Sequence, residues 1–266
     1  MKLVLSGVHK HFKSRQTTKQ VLRGVDLALV PGEIVAVVGS NASGKTTLVG
    51  LLARLIAPSS GTVEHIDDET DNDREGLAVL WQNYRESNFP WLNVLDNVAL
   101  SGVFARRKRD DARARAASVL ADLLPEVDPS SRVYRLSGGQ QQIVSLARAL
   151  ASEPRAVLAD EALGAIDQAR NWLLVSRFEQ WWLARRTPVL WVSHNLDEAM
   201  LIADRIVLLS VSTGKIEETI RVGADRPRTV SSLSGREATE IRRRLVDFLK
   251  GEEEWRLRTR EVQRVQ

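Results

Sequence analysis

The chain has 266 residues, a formal net charge of +4 and no cysteine. That length allows one large domain or one domain with an appendage, and the missing cysteines exclude disulfides and thiolate metal sites. The apolar share of 43% supports a buried core, while no apolar run approaches the roughly 18 residues of a membrane span.

The small positive excess is spread along the chain, which argues for a solvated surface and against a nucleic-acid partner. Residues 1–6 read as a short strand without the long apolar core of a signal peptide. The expectation is a cytoplasmic protein that reaches a membrane only through a partner.

Residues 3–8 and 25–30 read as strands, with the polar stretch 13–20 as a hairpin loop between them. Pro31-Gly32 turns the chain into 34–38, an apolar, β-branched run of strand length. Gly39, Ser40, Asn41, Ala42, Ser43, Gly44, Lys45, Thr46 and Thr47 follow and fit the phosphate-loop pattern G-x-x-x-x-G-K-[ST]. Leu48, Leu51, Leu52 and Leu55 then recur at helical spacing, so a helix is expected to run to about Leu55.

Strand, glycine-rich loop and helix is the context in which such a loop grips phosphate. The glycines let the backbone approach, and the loop N–H groups point inward as an anion nest. Lys45 would reach the β- and γ-phosphates, and the Thr46 hydroxyl would bind Mg²⁺.

Residues 64–75 are acidic and read as an exposed loop, with a spacing that does not match a calcium loop. The next strand, 77–81, is followed by Gln82. The strand signal is then lost over 83–135. There Phe89-Pro90-Trp91-Leu92 reads as an exposed aromatic turn, Val94, Leu95, Val98 and Leu100 as an apolar corner, and 105–124 as a charged helix. Together these suggest a helical insertion.

Leu136-Ser137-Gly138-Gly139-Gln140 opens a further helix and offers a second anion site at a helix N-terminus. Along that helix Ile143, Leu146, Ala147 and Leu150 share one face. A strand at 157–159 ends in Asp160-Glu161, and one at 189–192 ends in Ser193-His194, with a helix over 172–185 between them. A helix at 196–203 and a last strand at 206–209 complete the pattern. Strands alternating with helices indicate a parallel sheet covered on both faces. From Gly223 the chain turns polar; Ile241, Leu245, Phe248 and Leu249 mark one amphipathic helix, and the charged tail from Gly251 is expected to be disordered.

These motifs, in this order and at this spacing, resemble those of ABC-type ATPases, the nucleotide-binding subunits of ATP-binding cassette transporters. The resemblance covers residues 1 to about 225 and implies an α/β P-loop NTPase fold. That fold has a mainly parallel sheet core, an N-terminal antiparallel β subdomain and a helical subdomain at about 83–150, with 226–266 left as a short helical extension.

The resemblance also implies the roles. Asp160 would hold Mg²⁺, Glu161 would be the base that polarises the attacking water, Gln82 would sense the metal and that water, and His194 would contact the γ-phosphate. Asp167 falls in a loop that crosses to a second copy, and Phe12 matches an aromatic that stacks on adenine. Members of the family form head-to-tail dimers in which ATP lies between one copy's phosphate loop and the other's Ser137, Gly138, Gly139 and Gln140.

Some residues depart from the family pattern: Ala162 replaces the proline usual after the glutamate, Ala159 a bulky residue, and Gln141-Gln142 a frequent basic residue, while 62–76 is short and acidic. None of these removes a catalytic group.

The 89–98 segment, the run from Asp160 to Asp167 and Ser193-His194-Asn195-Leu196-Asp197-Glu198-Ala199 are similar to importer ATPases for nitrate, sulfonate and taurine. This implies a transmembrane permease docking around Trp91 on the inner face of the membrane, and a periplasmic or lipid-anchored solute-binding protein further out. Other readings are a lipid or drug transporter ATPase, or an ABC ATPase acting on nucleic acid or ribosomes; the latter usually carries coiled-coil insertions or tandem cassettes that this sequence lacks.

Overall fold

The computed structural model describes residues 1–14, 17–66, 76–83, 87–104, 107–164 and 166–265. Two sheets organise it. β1 (Lys2–Lys13), β2 (Thr18–Leu29) and β4 (Ser60–Ile66) form an antiparallel sheet in the order β2-β1-β4.

The second sheet has the order β5-β6-β7-β3-β8-β9, from β3 (Ile34–Val38), β5 (Leu77–Leu80), β6 (Ala156–Asp160), β7 (Val189–Val192), β8 (Arg205–Leu209) and β9 (Ile216–Arg221). Its first five members are parallel and β9 is an antiparallel edge.

β3, β6 and β7 are buried along their whole length, which is why they read as continuous apolar runs and not as alternating ones. Their side chains divide by pleat. Val35, Val37, Leu158 and Leu190 join the core shared with the N-terminal sheet and with α1 (Lys45–Leu52). Ile34, Ala36, Val38, Val157, Ala159 and Trp191 face the other core, with α2 (Val94–Phe104), α3 (Arg109–Leu123), α4 (Gly138–Ala151), α5 (Gln168–Leu183) and α6 (Leu196–Ile202). Leu48, Leu51 and Leu52 of α1 are fully buried, each contributing about 1.5–3 kcal/mol.

Four strand ends are level at one edge. Leu80 pairs with Ala159, Asp160 with Val192, and Val192 with Val37. In an open α/β sheet, ligands bind outside these carboxyl ends.

The structure corrects the sequence reading at several points. The hairpin strands run to Lys13 and from Thr18, because the polar residues expected in a loop pair across it as His11↔Gln20, Phe12↔Lys19 and Lys13↔Thr18. α1 stops at Leu52: Arg54 adopts φ +52, so the chain leaves the helix in an αL cap and Leu55 is exposed. Residues 64–66 lie in β4, whereas Asp67, Asp68, Asp71, Asp73 and Glu75 fall outside the described residues.

β8 is not the last strand. β9 escaped notice because its exposed face is polar and only Ile220 is fully buried. The expected disordered tail is helix: α7 (Arg236–Val265) continues through Gly251. A glycine costs a helix only about 1 kcal/mol, and the next residue, Glu252, is buried with hydrogen bonds to a turn of the core.

Candidate functional site: a cleft at the strand ends

The loop after β3 closes over its own lysine. Gly39 is forced by close approach: a Cβ there would lie 2.4 Å from the Leu209 carbonyl oxygen and 2.6 Å from Ser43 Oγ. Gly44 has φ +103 and passes 2.8 Å, measured from a would-be Cβ, from Val21 of β2, so both space and conformation demand glycine. Ala42 also takes a left-handed φ of 66°, which aims successive N–H groups into a concave nest.

Gly44 caps α1 without a side-chain hydrogen bond, leaving the first N–H groups of that helix open to an anion. Lys45 is buried and donates from Nζ to the carbonyls of Gly39 (2.8 Å) and Ser40 (3.0 Å). Burial lowers its pKa, and the nearby Glu161 and Asp160 oppose that shift. Ser40 Oγ and Ser43 Oγ are buried without a hydrogen-bond partner, so the loop holds polar groups that its own fold does not satisfy.

β6 delivers two carboxylates to the same edge. Asp160 is buried and accepts a hydrogen bond from the Thr46 hydroxyl; desolvation raises its pKa despite that bond and despite Lys45. Glu161 turns the other way, because the chain takes φ +52 there. Its N–H donates to Val192 O (3.0 Å), and its carbonyl accepts from Gln142 Nε2 (3.2 Å). Its carboxylate receives Gln82 Nε2 at 2.7 Å and lies 3.5 Å from His194 Nδ1.

Ala42, Gly44, Lys45, Thr46, Gln82, Glu161 and His194 line a cleft of about 700 Å³, together with Phe12, Lys19, Val21, Asn41 and Thr47; Asp160 reaches it through its hydrogen bond with Thr46. Phe12 is 44% exposed and belongs to the mouth of the cleft, with the Lys10 ammonium 5.0 Å from its ring centroid. Lys19 is its cross-strand partner. The sequence reading missed Lys19 because it assigned the residue to a loop; alternation in 18–29 was the signal that could have found it.

Ser137, Gly138, Gly139 and Gln140 do not line this cleft. They open α4 as a capping box in which Gln140 N donates to Ser137 Oγ (3.3 Å) and Ser137 N donates to Gln140 Oε1 (3.0 Å). Asp167 caps α5, accepting from Arg170 N at 3.0 Å, and is exposed.

A second unanticipated residue is Arg148 of α4. It is buried enough for its pKa to fall to about 10. It donates to Asn97 O (3.0 Å), to Ser87 O and to Asn88 Oδ1, and its guanidinium sits 5.5 Å from the centre of the Phe89 ring. Asn88 in turn donates to Gln141 O at 2.8 Å. The aromatic turn is thereby wired to the helix that Ser137 opens.

The loop, the paired carboxylates and the second helix N-terminus correspond to one protein family. The family profile described as ABC transporter matches residues 22–164. The chain belongs to the ABC transporter family. It is 38% identical over 225 residues to a taurine import ATP-binding protein of Sinorhizobium fredii, covering 84% of this chain and 81% of that protein. It is 35% identical over 240 residues to an aliphatic sulfonates import ATP-binding protein of Shouchella clausii, covering 90% and 89%.

Among solved structures, it resembles the dimeric bacterial ABC transporter cassette MJ0796 with a TM-score of 0.74 and 29% identity, over 84% of this chain and all of that one. A post-hydrolysis state of the same cassette with ADP and phosphate gives 0.73 at 28% identity, with the same coverage. The ABC chain described here is thus an ATP-binding, ATP-hydrolysing subunit. None of its described helices is long and apolar enough to cross a membrane.

Proposed function

We propose that this subunit powers a bacterial importer of a small organic anion of the sulfonate type, by closing as a head-to-tail dimer on two Mg²⁺-ATP and reopening after hydrolysis. The observation that carries the hydrolytic part is the convergence of Lys45, Thr46, Glu161, Gln82 and His194 on one cleft, with Asp160 hydrogen-bonded to Thr46. The relatives named for taurine and sulfonate import support the substrate class.

The residues fit the nucleotide and its metal. The orphaned Ser40 and Ser43 hydroxyls, the open start of α1 and Lys45 suit a phosphate chain. Thr46 Oγ1 and an Asp160 oxygen are adjacent hard donors. Mg²⁺ takes one or two such protein ligands alongside substrate phosphates, and when bound it neutralises charge developing on the β- and γ-oxygens. Phe12 offers an exposed ring for stacking on the base.

Glu161 serves as general base, taking a proton from the attacking water. Its backbone bonds to Val192 and Gln142 fix the carbon skeleton, and the Gln82 amide orients the carboxylate. His194, 60% exposed beside it, serves to contact the γ-phosphate.

The cleft of one copy lacks Ser137, Gly138, Gly139 and Gln140. A second copy supplies them from the start of its α4, so closure needs the γ-phosphate between the two. Trp91, 66% exposed, and the turn around it receive the membrane permease at the inner face. The Asn88 and Arg148 hydrogen bonds carry that contact to α4.

Steady-state phosphate release from wild type and Lys45→Ala, with and without Mg²⁺, tests the reading. Release should require Mg²⁺ and vanish in the variant; unchanged turnover in Lys45→Ala removes the phosphate-loop assignment.

A further inference from the structure

A groove of about 1110 Å³ lies between α3, the end of α4 and α5, and it shares no lining residue with the nucleotide cleft. Five cations line it. Arg107, Lys108 and Arg115 come from α3 and the residues just before it, Arg177 from α5, and Arg185 from just past the end of α5. Folding thus gathers in one concavity part of a positive excess that is spread along the sequence.

A carboxylate stands among three of these arginines. Glu153, which follows α4 in a left-handed conformation with φ +52, pairs with Arg107 at 2.9 Å, with Arg115, and with Arg185 at 3.9 Å. A carboxylate has about four lone-pair sites and each guanidinium about five N–H donors, so Glu153 leaves most of those donors over. Burial, and then the charges of Arg107 and Arg185, hold the pKa of Arg115 below its ordinary value. Arg177 and Lys108 have no hydrogen-bond or ion-pair partner among the described residues. The other carboxylates in the lining, Asp111 and Asp122, are exposed on α3 and pair with none of the five among the described residues. Trp181 also lines the groove, with the Arg185 guanidinium 4.8 Å from its ring centroid. Its Nε1 is buried without a hydrogen-bond partner, a donor that the fold itself leaves unused.

We propose that this groove binds a soluble anion bearing two or more phosphate groups, held between α3 and α5. Guanidinium forks match phosphate oxygens bidentately. A phosphate group carries more charge than a carboxylate and offers three acceptor oxygens, which suits donors that Glu153 does not saturate. Cations on both walls call for more than one such group. The concave shape, with a volume near the upper end for small-molecule sites, fits a small ligand better than a flat membrane surface.

Pyrophosphate is titrated calorimetrically, without Mg²⁺, into wild type, Arg177→Glu, Lys108→Glu and Arg177→Lys, each saturated with ADP so that the nucleotide cleft is filled. Wild type should bind pyrophosphate with simple saturation. Each charge reversal should weaken binding about tenfold or more, Arg177→Lys should keep most of the affinity, and high salt should weaken wild-type binding. ADP affinity should stay at the wild-type value in all variants, which separates loss of the groove from loss of the fold.

No pyrophosphate binding by ADP-loaded wild type, or binding that both charge reversals leave unchanged, overturns the proposal. So does a chain that ignores pyrophosphate but is captured by phosphatidylglycerol vesicles and not by phosphatidylcholine vesicles.

Discussion

Gln82 donates its side-chain amide to Glu161 across the ends of two neighbouring strands, Nε2 to Oε2 at 2.7 Å. The residues are far apart in sequence but adjacent in register, since Leu80 pairs with Ala159 in the parallel β5–β6 ladder. The bond holds the carboxylate toward the cleft while leaving its second oxygen free for water.

Gln82→Ala should therefore act on the chemical step. A hydrogen bond to a charged group contributes about 1.5–3 kcal/mol, so kcat should fall about tenfold to a hundredfold with the ATP KM nearly unchanged. Steady-state kinetics decides this. A raised KM at constant kcat would place Gln82 in ground-state binding instead.

Asp160 carries a stability cost that its role explains. Burial raises its pKa in the folded chain. A carboxyl whose folded pKa lies above its unfolded value is destabilising while ionised, and the cost is relieved as pH falls through the folded pKa. At pH 7, without nucleotide, Asp160→Asn should melt a few degrees higher than wild type and hydrolyse ATP far more slowly. The melting advantage should shrink on acidification toward pH 4. A variant that melts lower at pH 7 contradicts this balance.

Trp91 and Arg148 separate docking from support. Trp91 meets Phe89 edge to face, ring centroids 5.5 Å apart, its carbonyl accepts from Arg132, and it is 66% exposed. Trp91→Ser should leave the melting midpoint within a few degrees while abolishing co-purification with the permease. Arg148→Met should remove about 1–3 kcal/mol of stability, because it takes the guanidinium bonds from the Ser87 carbonyl and Asn88 Oδ1 at a part-buried site. Chemical denaturation and pull-down on both variants check this. A Trp91→Ser variant that still captures the permease moves the docking site elsewhere.

How much was legible in the sequence depended on the range of the interactions involved. The phosphate loop is local: nine consecutive residues, with their glycines and lysine, hold the backbone geometry that they impose. The apolar runs of β3, β6 and β7 announced a sheet buried on both faces. The Phe12–Lys19 pairing was hidden because polar residues in an exposed hairpin look like a loop. The end of α1 hung on one left-handed residue, Arg54, whose side chain gives no warning of it. Arg148 and Glu252 were invisible for another reason. Each is an ordinary charged residue on a helix until distant segments, 87–97 and 210–212, close around it.

The account turns on Glu161 as base in a cleft that a second copy completes, and Glu161→Gln tests both parts in one sample. Replacing the base should lower phosphate release roughly 10²- to 10⁴-fold while ATP still binds. Light scattering with Mg²⁺-ATP should then show a stable species of twice the 29.7 kDa chain mass, which dissociates when nucleotide is removed. A variant that stays monomeric with ATP and releases phosphate at the wild-type rate would contradict the account.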